Sequence, residues 1–247
     1  MKFNEIPKFV INLERRPDRL EKVKREMEYI GWDYEVFKAI DTNSYMGITL
    51  SILEIVTIAK EKKYPRIMII EDDIGFMPYA KDFLNKLEEK CEGLTFGVFN
   101  LSPTHNRFIN RCPNNELLLD MTNLPEKPEH LRDIYACNML ILDESIYDEL
   151  FKIKENAFGS GDFFHAIDDF IFKFIIQKFQ SYCPILPIAP QGHDLSNISD
   201  GVYNNFYLQT YNWNLYSPAK IPSEYLNQYT NQEIKNKNEH KEFYYVS

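Results

Sequence analysis

The segment RIMIIEDDI, from Arg66 to Ile74, decides the fold of this 247-residue chain because an apolar run ends there in three consecutive acids. The run has the length of a strand and follows Pro65, so it predicts a buried strand. In an open α/β sheet, ligands bind beyond the carboxyl ends of the strands. Three adjacent carboxylates repel one another, which makes a hard cation such as Mn²⁺ or Mg²⁺ their expected partner. The alternative interpretation is an acidic turn after a strand.

The apolar segments upstream of this strand predict an α/β fold. A strand over residues 8–13 is followed by a helix that starts at Pro17 and ends at Gly31. A strand over 34–40 and an apolar helix that runs to Lys63 come next. The order β-α-β-α-β with short connections predicts a mainly parallel, Rossmann-like sheet flanked by helices.

The downstream half predicts further elements of the same layer. They are a helix around 83–87, a strand over 94–101, a long surface loop from Ser102 to Arg132, a strand over 134–142, a helix over 144–152, an apolar helix over 170–179 and a proline-rich edge strand over 183–190. We expect one domain over residues 1–247, with a C-terminal extension from about 201 to 247 that is packed on it or partly loose.

Charge and composition exclude several classes of protein. The net charge of −9 argues against a nucleic-acid partner, because phosphate backbones attract basic surfaces. No run approaches the roughly 20 apolar residues of a membrane span, and the N-terminal segment lacks the apolar core of a signal peptide. Four cysteines without a CxxC pair indicate reduced thiols. The sequence therefore predicts a cytoplasmic protein without an integral membrane segment.

Two further segments carry candidate ligands and bases. Asp168 and Asp169 precede an apolar helix, where they either stabilise the helix dipole or place a general base at the rim of the sheet. His193 lies in a polar loop, where it is either solvated or a metal ligand.

Three arginines surround the start of the first helix. Arg15, Arg16 and Arg19 there either face an anion such as a diphosphate or form ion pairs on a solvated helix face.

Seven short segments, in order along residues 8–200, resemble blocks of the family-25 glycosyltransferases, which include lipopolysaccharide, lipo-oligosaccharide and collagen sugar transferases. They are Val10–Arg19, similar to INL-x-RR-x-DR; Phe37–Asp41; Gly47–Ile52, similar to G-x-x-x-S-H; Ile69–Asp73, similar to ILEDD; Tyr135–Ala136; Ile167–Asp168; and Gly192–Ile198. Ile52 stands where the family has His, so no role of that His is carried over.

The resemblance implies a GT-A fold with a DXD-type metal site and a role in glycan biosynthesis. It also implies a nucleotide-sugar donor, first of all a UDP-hexose. The implied reaction is an inverting transfer to a hydroxyl of a glycan, a lipid-linked glycan or a protein.

The implied roles fall on residues of these segments. Asp73 ligates Mn²⁺ (or Mg²⁺), with Glu71 and His193 as further ligands. Asp168, or alternatively Asp169, takes the proton of the acceptor hydroxyl. The expected contacts to the nucleotide sugar come from Asn12, Leu13, Arg15, Arg19, Asp41, Glu71, Asp72 and Ser196.

Two other functions remain open at this point. A module of the same fold could bind a nucleotide sugar without transferring it, as the departure at Ile52 permits. A metal-dependent phosphohydrolase would need more His and Asp ligands on separate strand ends than the sequence offers.

Overall fold

The computed structural model describes residues 1–42, 45–103, 110–122, 124, 138–154, 166–190, 194–195 and 202–203. Within these residues, eight strands form one sheet: β1 (Lys8–Asn12), β2 (Glu35–Lys38), β3 (Arg66–Glu71), β4 (Val98–Asn100), β5 (Asn110–Cys112), β6 (Asn115–Asp120), β7 (Met139–Asp143) and β8 (Ser181–Pro184). Their order across the sheet is β2-β1-β3-β7-β4-β8-β6-β5. A second, antiparallel pair joins β9 (Asp194–Leu195) to β10 (Val202–Tyr203).

The helices lie in the predicted intervals except the last, which begins at Ile167 and not Phe170 and ends at Ile175 and not Phe179. They are α1 (Pro17–Ile30), α2 (Tyr45–Lys62), α3 (Ala80–Lys90), α4 (Tyr147–Phe151) and α5 (Ile167–Phe170), which continues as a π-helical turn to Ile175. Short 3₁₀ turns cover Phe3–Glu5 and Glu144–Ile146. In the residues that the structure describes, no helix combines the length and the apolar character that crossing a membrane requires.

Helix α1 illustrates how the sequence sets these bounds. Pro17 occupies its first turn, and Gly31 ends it with a left-handed φ of 79° while its N–H donates to the carbonyl of Met27. Glycine adopts this backbone conformation without the steric cost that a Cβ brings.

The sheet confirms the α/β prediction and is mixed in its pairing. β1 is parallel to β2 and β3, and β4 is parallel to β8. β7, however, lies antiparallel between β3 and β4. The predicted mainly parallel pairing therefore holds for the first three strands and not for the centre of the sheet. Apolar runs identify strands but carry no information on strand direction.

Two predictions at the far edge of the sheet were wrong. The segment predicted as a surface loop, Ser102 to Arg132, contains the hairpin β5–β6. This hairpin was not predicted because the Pro, Asn and charged residues around it are typical of a loop. This hairpin pairs with β8 through Leu118 and Leu119, so β8 is an interior strand and not an edge. Pro184 is tolerated there because it lies beyond the two residues of β8 that pair with β4. The predicted extension over 201–247 lies outside the described residues except for 202–203.

A close contact fixes α2 against the end of β2. The hydroxyl of Ser51 donates to the carbonyl of Gly47 at 2.7 Å and accepts the N–H of Ile40 at 2.8 Å. A Cβ on Gly47 would lie 2.4 Å from the carbonyl oxygen of Ile40. The G-x-x-x-S spacing thus has a structural cause, while Ile52, only 1% exposed, belongs to the core.

We predict that Gly47→Ala lowers the free energy of unfolding by about 1–3 kcal/mol, because the new methyl group meets backbone atoms that cannot move aside. Urea unfolding measures the loss. Gly75→Ala is the matched control, since a Cβ there meets no atom within 4 Å. Equal losses in the two variants would contradict the close approach of α2.

Candidate functional site

The acids predicted as ligands lie where β3 leaves the sheet, beside the ends of two neighbouring strands. The parallel register pairs Glu71 with Ile11, so Asn12 at the end of β1 adjoins the acids. On the other side, the N–H of Glu71 donates to the carbonyl of Asn138 at 2.8 Å, just before β7 begins. This edge is the carboxyl end of β1 and β3, where α/β proteins bind ligands.

Arg19 links two of the acids from helix α1. Its Nη1 lies 3.1 Å from Oδ1 of Asp72 and 3.3 Å from Oδ2 of Asp73, and the three side chains are 6–8% exposed. Asn12 adds a hydrogen bond of 2.6 Å from its Nδ2 to the other oxygen of Asp72. The Nδ2 group also donates to the carbonyl of Arg16 at 3.1 Å, which ties the loop after β1 to the cluster.

The surroundings of Asp72 raise its pKa above the ordinary value. Burial is the largest cause that raises the pKa of Asp72, to about 6, and repulsion from Asp73 adds to it. The Arg19 guanidinium and the Asn12 amide act in the opposite direction but only offset part of the shift.

The pKa of Glu71 is also raised by burial and by neighbouring acids. Its pKa is raised well above the usual range, first by burial and then by repulsion from Asp73, Asp72 and Asp168. The contribution of Asp168 is informative because this residue lies about a hundred positions further along the chain. The fold thus brings the second acidic segment close enough to Glu71 for their charges to repel.

Asp168 and Asp169 both occupy the first turn of α5 and are half-buried. The Oδ1 atom of Asp168 accepts the N–H of Asp169 at 2.9 Å. Both interpretations of this pair remain compatible with its position, since acids in a first turn also stabilise the helix dipole.

The other two arginines at the start of α1 form ion pairs outside the cluster. Arg15 contacts Asp41 at 2.7 Å, and both side chains are more than 40% exposed. Arg16 contacts Asp18 at 2.8 Å, which lowers the pKa of Asp18 to about 2. Leu13 is half-buried at the end of β1. Both Arg15 and Asp41 were predicted to contact the nucleotide sugar, and in the structure they form an ion pair with each other.

Two predicted residues, His193 and Ser196, lie outside the described residues. A search of the described part of the chain finds no group of three or more His, Cys, Asp or Glu side chains arranged to hold a metal ion. Glu71 and Asp73 supply oxygen ligands of the type that Mn²⁺ and Mg²⁺ prefer. The metal site therefore stays a prediction.

The contact of Arg19 with Asp72 and Asp73 was not predicted, although the residue spacing of α1 indicates it. The buried positions of α1 are Arg19, Val23, Met27 and Ile30. Their spacing places Arg19 on the same buried stripe as the apolar residues. An arginine on such a stripe needs a buried acid, and Asp72 and Asp73 are those acids.

Comparison with known proteins gives one partial sequence match. No family model matches the chain. A Drosophila melanogaster protein described as a glycosyltransferase 25 family member is 31% identical over 102 residues, which cover 30% of this chain. The match spans about a sixth of that protein, 17% of its length.

Among solved structures, similarity is limited to an overall resemblance. A glycosyltransferase involved in the glycosylation of the major capsid of PBCV-1 gives a TM-score of 0.46 at 9% identity, covering 69% of this chain and 75% of the other. A mannose-1-phosphate geranyltransferase from Thermus thermophilus gives a TM-score of 0.41 at 12% identity, covering 75% of this chain and 74% of the other.

We predict that Arg19→Met lowers the free energy of unfolding by about 3–5 kcal/mol at pH 7, because Asp72 and Asp73 are left as buried acids without their guanidinium. Arg15→Met should cost less than about 1 kcal/mol, since its pair with Asp41 is exposed to solvent. Urea unfolding of both variants measures the difference. Similar losses would show that burial of the Arg19 pair does not matter.

A second prediction concerns pH. Because the pKa of Asp72 is higher in the folded chain, about 6, than its ordinary 3.8, the folded state binds more protons between these values. The free energy of unfolding should therefore fall as pH rises from 4 to 6, by up to about 3 kcal/mol from this residue.

Asp72→Asn removes that titration, so the difference in stability between wild type and variant should change with pH over this window. Urea unfolding at several pH values with EDTA present measures it. Parallel stability curves for the two proteins would contradict the raised pKa.

Proposed function

We propose that this chain is a metal-dependent glycosyltransferase of the GT-A type that transfers a hexose from a UDP-sugar to a hydroxyl group with inversion. The observation that carries the proposal is the meeting of two acidic segments at one edge of the sheet. Asp168 lies close enough to repel the charge of Glu71, although the two belong to different halves of the chain. An acidic turn with no ligand has no need of a second acid from elsewhere.

The partial match to a glycosyltransferase 25 family member supports the same proposal. The segments Val10–Arg19 and Ile69–Asp73 resemble the blocks of that family. In the structure these two segments are in contact, since Asn12 and Arg19 bind Asp72. We therefore place the chain with the family-25 enzymes as part of the proposal.

The residues around Glu71 fit a divalent cation by their chemistry. Four acids lie at this edge, namely Glu71, Asp72, Asp73 and Asp168, and burial, followed by repulsion from neighbouring acids, raises the pKa values of Glu71 and Asp72. Asp73, Glu71 and His193 would hold Mn²⁺ or Mg²⁺. When bound, the cation neutralises charge on the donor diphosphate.

Arg19 and Asn12 position these ligands. By taking both oxygens of Asp72, they direct this carboxylate into the protein and fix the backbone on which Asp73 stands. We assign contact with the uridine to the end of β1, with Asn12 and Leu13. Arg15 would reach the diphosphate only by leaving Asp41, an exchange that is inexpensive for an exposed pair.

Asp168 is the proposed general base. A carboxylate removes a hydroxyl proton best when its pKa lies near the working pH. Asp168 is half-buried and would accept the proton of the acceptor hydroxyl. Asp169, beside it in the first turn of α5, is assigned to the helix start.

We predict that UDP binds more tightly with Mn²⁺ than with EDTA, by at least about tenfold, as expected when the cation contributes to the binding site. Isothermal titration calorimetry measures both affinities. Asp73→Asn should abolish the difference, while Glu54→Gln, a change on the exposed surface of α2, should leave it intact. Equal affinity of wild type for UDP with and without the metal would refute the metal site.

We further predict that Asp168→Asn lowers turnover at least about a hundredfold and leaves UDP affinity unchanged, the range typical of general-base removal. Asp169→Asn is the control and should mainly affect stability. Release of UDP from UDP-sugars without free phosphate, followed with Mn²⁺ and with EDTA, measures turnover and separates a transferase from a phosphohydrolase. Near-wild-type turnover of both variants would place the base elsewhere.

A further inference from the structure

A row of polar residues crosses three strands at the edge that carries the acids. The N–H of Glu71 donates to the carbonyl of Asn138 at 2.8 Å, which makes these two residues direct neighbours across β3 and β7. On the other side of β7, the N–H of Leu101 donates to the carbonyl of Met139 at 2.9 Å. Ser102 follows Leu101 and Asn138 precedes Met139, so both residues lie just past the paired ends of β4 and β7, at the edge of the sheet that carries Glu71. Directly opposed residues of antiparallel strands project from the same face, so the side chains of Glu71 and Asn138 share one face, and Ser102 lies at the same edge of the sheet.

Within the part of the chain that the structure describes, two members of this row carry polar atoms without a hydrogen-bond partner. They are Nδ2 of Asn138 and Oγ of Ser102. Asn138 is 3% exposed and Ser102 is fully buried, so bulk solvent does not satisfy these atoms. Buried polar atoms are nearly always hydrogen-bonded in folded proteins, and an exception points to strain or to a ligand.

The surroundings of the row favour a neutral, hydroxyl-rich ligand. The amide of Asn138 donates, the hydroxyl of Ser102 donates or accepts, and the carboxyl group of Glu71 offers an accepting oxygen. Neither Asn138 nor Ser102 carries a positive charge that would offset the acids and favour a phosphate group at this position. A sugar ring, whose hydroxyls both donate and accept, matches all three.

We infer that Asn138 and Ser102 bind hydroxyl groups of the hexose of the donor, next to Glu71. This inference rests on the proposed function and extends it to the part of the site that recognises the sugar. The row lies beside Asp73, the residue proposed to hold the cation at the diphosphate. The hexose is attached to that diphosphate, so it enters the site at the same edge of the sheet.

The inference makes opposite predictions for stability and for binding. A buried polar atom without a hydrogen bond destabilises the folded chain, and its removal ends that cost. Ser102→Ala and Asn138→Leu should therefore keep or raise the Tm. Each variant should weaken binding of a UDP-hexose about fivefold, the usual effect of one lost hydrogen bond, and should leave binding of UDP unchanged.

The experiment compares UDP, UDP-glucose and UDP-galactose by calorimetry with Mn²⁺ present, and records Tm by differential scanning calorimetry. Ser181→Ala is the matched control. Ser181 is also fully buried, but its hydroxyl donates to the carbonyl of Phe179 at 2.9 Å and it lies at the start of β8, away from the acids. This control should lower the Tm and leave the preference for the UDP-hexose over UDP unchanged.

The outcomes separate the two proposals. If Ser102→Ala and Asn138→Leu lower the Tm as Ser181→Ala does and keep the wild-type preference for a UDP-hexose over UDP, the two residues are structural and the inference is overturned alone. If wild type binds UDP and no UDP-hexose more tightly than UDP, the inference is likewise overturned. If wild type binds none of the three compounds, the proposed function falls together with the inference.

Discussion

The contact of Arg19 with Asp72 and Asp73 is the constraint on which the candidate site depends. A guanidinium and two carboxylates removed from water are expensive to bury, and their attraction repays that cost only with good geometry. Here the geometry comes from three elements, since α1 supplies Arg19, β1 supplies Asn12 and β3 supplies the acids. The contact connects the first helix of the chain to the end of the third strand. Any ligand at this edge therefore meets a backbone that is already fixed.

The same contact leaves the site short of positive charge. Arg19 and Asn12 offset only part of the repulsion that raises the pKa of Asp72, and Glu71 is shifted further because Asp168 adds to its surroundings. A protein that only needed stability would replace such acids with neutral side chains. The retained acids lower the stability of the fold, and binding of a cation or a proton would offset that loss. Local instability of this kind is common where a protein binds or reacts.

The sequence predicted features with local causes well and those set by distant contacts less well. The helix from Pro17 to Gly31 and the strand ending at Glu71 follow from a proline, a glycine and an apolar run. The antiparallel insertion of β7 does not, because direction and partner depend on contacts far apart along the chain. In the site, the sequence left open whether Arg19 faces an anion or forms an ion pair on a solvated helix face, whereas the structure buries it against two acids of the same chain. Asn138 carries no sequence signal, since only strand register aligns it with the acids.

The central place of β7 has a consequence for how the chain is made. β3 and β4 lie on either side of it, so neither completes its backbone pairing at the middle of the sheet before residue 143 has left the ribosome. Until then, two apolar strand edges are open to other chains, the situation in which nascent proteins associate wrongly. Late closure of the sheet also means that Glu71 acquires its neighbours on β7 after the rest of its strand is in place. This protein should accordingly depend on chaperones during synthesis more than a sheet built in strand order.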